Sequence, residues 1–87
     1  YNIASYSLLL MMFAQEVGLT PGIFVHSIGD CHIYQNHLEG VKEQLTRTPH
    51  PLPQVEIAKK PFWELKFEDF QLKNYEHDKF IRFPIAV

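Results

Sequence analysis

The sequence predicts an α+β fold: a buried helix, a long strand of a mixed sheet, a second helix, short strands and an extended tail. Three observations carry that prediction. Residues 2–16 contain neither proline nor glycine and hold an unbroken apolar block from Leu8 to Ala14. Residues 23–35 change to β-branched and aromatic side chains, which suit a pleated, half-buried surface. The second half then offers only short alternating runs, cut by a proline-rich connector.

Each element has its own reason. Asn2 is placed to cap the first helix, because an amide oxygen reaches the free amides of a first turn. Leu8, Leu9, Leu10, Met11, Met12 and Phe13 cover every direction around the axis, so this helix belongs inside a larger core. Gly18 ends it, and Thr20-Pro21-Gly22 turns the chain. Gly29 interrupts the strand of 23–35 and marks a bulge or a close backbone approach. Residues 37–46 form a second helix with a narrow stripe of Leu38, Val41 and Leu45. Three prolines in Thr48-Pro49-His50-Pro51-Leu52-Pro53 remove three donors and make a rigid connector. Val55 to Ala58 alternates as a short strand, and Phe62 to Leu72 nearly alternates, turning at Glu68-Asp69. The tail from Phe80 to Val87 is apolar and extended.

Composition narrows the function classes. The chain has 87 residues, 46% hydrophobic and 21% charged, with a formal charge of −2. That allows one modest domain of ordinary globular character. The eight Lys and Arg are scattered, so no basic patch points to nucleic acid or an anionic membrane. A single cysteine makes no internal disulfide and fits a reducing, cytoplasmic setting. The apolar block falls far short of the roughly 18 residues a membrane span needs, and no signal-peptide pattern opens the chain. Without an initiator Met, a longer parent chain is expected.

Chemistry concentrates in Gly29-Asp30-Cys31-His32-Ile33-Tyr34-Gln35-Asn36-His37. Strand side chains alternate faces, so Asp30, His32, Tyr34 and Asn36 share one face, and Cys31 lies on the other. Such a row of hydrogen-bonding groups suits a polar small molecule, and the alternation argues against a Cys31–His32 dyad. A zinc site built from His26, Cys31, His32 and His37 is disfavoured, because zinc sites prefer tight pairs of thiols and imidazoles. Taken as residues alone, Asn2 is a helix cap, His32 a structural hydrogen bonder and Tyr34 amphipathic packing. Cys31 reads as a small buried hydrophobe, and Glu16 as a solvated charge.

Several segments together carry a resemblance. Tyr1-Asn2-Ile3-Ala4-Ser5-Tyr6, Gly29-Asp30-Cys31-His32-Ile33-Tyr34, Arg47-Thr48-Pro49-His50-Pro51-Leu52-Pro53 and the closing Phe83-Pro84-Ile85-Ala86-Val87 resemble, in order, the C-terminal part of thymidylate synthase. The likeness runs along essentially all 87 residues. It implies that residues 1–87 are the C-terminal portion of a single synthase domain, with the catalytic cysteine upstream and outside this sequence. The implied reaction is reductive methylation of dUMP to dTMP. In it 5,10-methylenetetrahydrofolate is the co-substrate, the enzyme is a homodimer, and no metal takes part.

The resemblance also assigns roles residue by residue. Asn2 would hydrogen-bond the uracil ring, since an amide offers both a donor and an acceptor. His32 and Tyr34 would hold the deoxyribose hydroxyl. Tyr1 and the tail residues Ala86 and Val87 would contact and cover the folate. Asp30 would orient its neighbours. No residue here matches the catalytic nucleophile, so the segment alone is expected to be inactive. Two other readings stay open: a deoxypyrimidine-monophosphate hydroxymethylase of the same fold, against which Asn2 argues for a cytosine substrate, and a non-catalytic complementing fragment that associates through Leu8–Phe13.

Overall fold

The structure, a computed structural model, describes residues 1–85. Ala86 and Val87, expected to end a folate cap, lie outside the described residues. The architecture is α+β. Helix α1 spans Asn2–Glu16 and helix α2 spans Leu38–Leu45. Strands β1 (Gln54–Ile57) and β2 (Phe70–Lys73) make an antiparallel pair in which Val55 faces Leu72 and Ile57 faces Phe70. One-turn 3₁₀ segments lie at Gln35–His37, Phe62–Glu64 and Phe67–Asp69.

Helix α1 ends as its sequence requires. Gly18 takes φ +69°, where a Cβ is penalised. The Leu19 amide donates to the Ala14 carbonyl (2.8 Å) and the Gly18 amide to Gln15 (3.2 Å), the paired bonds of a Schellman cap. The start differs from expectation. Tyr1 is the cap residue and Asn2 is already helical, and no side chain caps the turn.

The apolar helix does not find a core among the described residues. Among the described residues only Ala14 is buried, while Ile3, Tyr6 and Phe13 are more than half exposed. The radius of gyration is 16.3 Å, against about 12 Å for a compact domain of this length. The accessible surface of 8178 Å² compares with about 5,300 Å² for a self-contained protein of this mass. The excess is of the size that obligate interfaces bury. Burial of α1 therefore needs surfaces that these residues do not supply.

The same shortage explains the main departure from the predicted elements. Residues 23–34 carry no strand ladder, with a bend at Gly29–Asp30. A strand exists only when its amides and carbonyls meet a neighbour, and no described segment pairs with this run. Sheet structure among the described residues is thus the β1–β2 hairpin, not a long strand of a mixed sheet. Phe62 to Leu72 is likewise not one strand. Two 3₁₀ turns take up Phe62–Asp69, and the ladder begins only at Phe70.

Side-chain ties hold these parts together. Phe13 stacks on Phe62 with ring centroids 5.0 Å apart. The Gln15 amide donates to the Ala58 carbonyl (2.8 Å), and the Phe62 amide donates to Glu16 Oε2 (2.8 Å). Glu16 is therefore no free solvated charge; it fastens the end of α1 to the hairpin connection. Asp69 accepts from Lys60 Nζ (2.8 Å) and from the Lys66 amide (2.9 Å).

Candidate functional site

The run before α2 brings its polar groups together even without a ladder. The Tyr34 backbone is extended, at φ −66° and ψ 144°, so the alternation of an extended chain still applies. Asp30 Oδ1 lies 3.3 Å from His32 Nδ1. The His32 and Tyr34 rings meet edge to face, with centroids 5.0 Å apart at 81°. Asp30, His32 and Tyr34 therefore share a face, as their spacing predicts. The side chains of His32 and Tyr34 are each about half exposed, and among the described residues the Tyr34 hydroxyl makes no hydrogen bond within the protein.

Asn36 leaves that row. It sits inside the 3₁₀ turn Gln35–His37, where three residues per turn replace the two-residue alternation. His37 takes its place in space. Its ring stands edge-on to Tyr34 at 5.5 Å and 82°, and edge-on to Phe83 at 5.2 Å and 73°. Its Nε2 hydrogen-bonds the Pro84 carbonyl. Sequence reasoning weighed His37 only as a metal ligand and missed this contact, because its partners lie 46 and 47 residues away. The one local signal was its helix-neighbour glycine: a Cβ on Gly40 would stand 2.6 Å from Phe83 Cε1. His37 and Gly40, three residues apart, lie on one side of the same helical turn.

The remaining candidates stand apart from this cluster. Tyr1 is fully exposed, and Asn2 is exposed in the first turn of α1. No hydrogen bond or ring contact joins either to His32 or Tyr34 among the described residues. Cys31 is an exposed free thiol rather than a buried hydrophobe, since no described residue covers the opposite face of the run. The His26 ring stacks on Phe24, with centroids 6.1 Å apart, and among the described residues pairs with no other ring. Among the described residues no three His, Cys, Asp or Glu side chains stand together as a metal set, and no helix is long and apolar enough to cross a membrane.

A separate charged cluster lies across the proline connector. Arg47 Nη1 donates to the Lys79 carbonyl (2.8 Å), and its Nε lies 3.7 Å from Asp78. His50 Nε2 is 2.7 Å from Asp78 Oδ1, and its Nδ1 is 3.8 Å from Glu76. The His50 hydrogen bond, with the nearby charges of His50 and Arg47, holds the Asp78 carboxyl below the usual carboxylate range. The cluster clips residues 76–79 to the connector. It is partly solvated, and its side chains bind one another and the Lys79 carbonyl, which marks it as structural.

The thymidylate synthase family model matches residues 1–87. The chain is 51% identical over 88 aligned positions to the thymidylate synthase of Mycoplasma pneumoniae, covering all of this chain and 31% of that protein. Its backbone superposes on thermostable thymidylate synthase A from Bacillus subtilis with a TM-score of 0.93 at 34% identity. That match covers 99% of this chain and 32% of the other. The unpaired run of 23–34 therefore follows the path of a synthase segment, and the chain spans about a third of the length of the relatives it matches. A motif set, a backbone path and a family match that all run from end to end place this chain in the thymidylate synthase family.

Proposed function

We propose that the protein bearing this segment is a thymidylate synthase, converting dUMP to dTMP with 5,10-methylenetetrahydrofolate as the source of both the carbon and the hydride. The observation that carries the reading is the Asp30–His32–Tyr34 row within the matched family motif. An acidic group beside Nδ1 favours the imidazole tautomer with its proton there. That leaves His32 Nε2 free to accept a hydrogen bond from a sugar hydroxyl, while the Tyr34 hydroxyl can donate to the same oxygen. The Asn2 amide supplies the acceptor that uracil N3–H needs and the donor that O4 needs.

In this proposal the segment binds, orients and covers, and the upstream part supplies the nucleophile. Tyr1 lies against the folate ring, and Ala86 and Val87 help cover it. Closure of that kind keeps water from a reactive intermediate and completes the site. The large uncovered surface of α1 favours a working protein that includes the remaining portion of the synthase; the family resemblance adds a cytoplasmic homodimer to this proposal.

The deciding experiment supplies the full-length protein with dUMP and 5,10-methylenetetrahydrofolate and measures dTMP and dihydrofolate. Equal formation of both supports the synthase. Tetrahydrofolate with a hydroxymethylated nucleotide would instead establish a hydroxymethylase. Activity of residues 1–87 by themselves would contradict the assignment of the nucleophile to the upstream part.

A further inference from the structure

We infer that His37 is a positioning residue that ties the C-terminal tail to the Tyr34 side of the site, so that nucleotide bound there steadies the tail. The inference rests on the proposed reaction for its consequence, but the tie itself is read from three contacts. The Pro84 carbonyl can only accept, so His37 Nε2 carries the proton and donates it. The Phe83 ring meets the same imidazole edge-on at 5.2 Å. It also fills the space over Gly40, where a Cβ would fall 2.6 Å from Cε1, 3.0 Å from Cζ and 3.2 Å from Cδ1. Pro84 restricts the preceding Phe83 to extended backbone, which narrows the directions the chain can leave in.

The imidazole is the shared element. On its other side it meets the Tyr34 ring at 5.5 Å, and Tyr34 in turn meets His32. A ligand hydrogen-bonded to the Tyr34 hydroxyl restrains that ring, hence the His37 ring packed on it, and hence the bond to Pro84. Coupling of this kind needs only neighbouring groups whose arrangements depend on one another. His37 touches neither nucleotide nor folate in this account. It acts through Phe83 and Pro84.

The test uses the full-length enzyme and its His37→Ala, His37→Gln and Phe83→Ala variants. Carboxypeptidase release of C-terminal residues is followed with and without dUMP, alongside kcat, folate KM and the Kd for dUMP. Loss of a donor and a ring contact predicts release about tenfold faster in His37→Ala without ligand, and little protection by dUMP. Folate KM should rise and kcat fall, while the Kd for dUMP moves less than about threefold. His37→Gln, whose amide can still donate to Pro84, should recover part of the slow release. Phe83→Ala should release quickly and keep nucleotide affinity, which decides the matter should His37→Ala fail to fold. Wild-type release rates in His37→Ala, or in both His37→Gln and Phe83→Ala if it does not fold, would overturn the tie. Release in the absence of ligand is read without turnover, so a wild-type protein making no dTMP would refute the assigned reaction and leave the tie measurable.

Discussion

Replacing Gly40 with alanine sets two known effects against each other. In a helix interior alanine is favoured over glycine by about 0.5–1 kcal/mol, so the substitution alone should stabilise α2. The new Cβ, however, would stand 2.6 Å from Phe83 Cε1, well inside van der Waals contact, and the ring has to leave. Phe83 is 37% exposed, so its displacement forfeits burial worth about 1–2 kcal/mol. The lost edge contact with His37 adds about 0.5–1.5 kcal/mol. The displacement outweighs the helix gain, and Gly40→Ala should destabilise by about 1 kcal/mol. In a Phe83→Ala background no ring is left to displace, and the same change should stabilise by up to about 1 kcal/mol. The double-mutant cycle should therefore return a coupling of about 2 kcal/mol. Urea unfolding of the full-length protein at one fixed concentration supplies the four values, provided the slope is shared among variants. Gly40→Ala stabilising in both backgrounds, with coupling near zero, would refute the docked position of Phe83.

Other expectations follow from the same structure. Asn2→Asp should lower kcat/KM for dUMP about a hundredfold and improve binding of the cytosine nucleotide, because a carboxylate offers no donor to O4; steady-state kinetics on both nucleotides checks it. Removal of Val87 should depress kcat at least about tenfold while changing dUMP affinity less than about twofold, measured by turnover and by direct binding. Phe62→Ala breaks the stacking on Phe13 at 5.0 Å and the edge-to-face contact with Trp63 at 4.9 Å and should cost about 1–3 kcal/mol in urea unfolding. Glu16→Ala loses one accepted bond and should cost under about 1.5 kcal/mol. The Lys60 hydrogen bond, with the Lys66 amide, holds Asp69 below its ordinary value, as His50 holds Asp78. Carboxyls lowered on folding stabilise above their unfolded value and lose that contribution as pH falls through the folded one. Lys60 is raised above 10.5 by the Asp69 hydrogen bond and charge, so its share is present below that value and lost as pH rises through the raised one. Urea midpoints should therefore fall toward acid, and Asp69→Asn should flatten that fall.

What could be read along the chain was local. The all-round apolar block predicted a helix, and the observed α1 matches residues 2–16; glycine at 18 predicted its end, and φ there is +69°. Spacing alone put Asp30, His32 and Tyr34 on one face, because two-residue alternation depends only on extended backbone. The same rule failed at Asn36 and at Phe62–Asp69, where 3₁₀ turns replaced extension. Near-alternation of aromatics does not separate a strand from short turns whose rings stack on one another.

The sequence by itself determined the family motifs, the glycine-marked end of α1 and the polar face of the 30–34 run, since each depends on a few adjacent residues and their intrinsic geometry. Only the tertiary structure decided that residues 23–34 stay unladdered, that Glu16 anchors Phe62, and that His37 and Gly40 receive the tail from more than forty residues away. Those outcomes turn on which distant surfaces meet. Hydrogen-bond partners and ring contacts separated by half the chain leave no periodic trace in it.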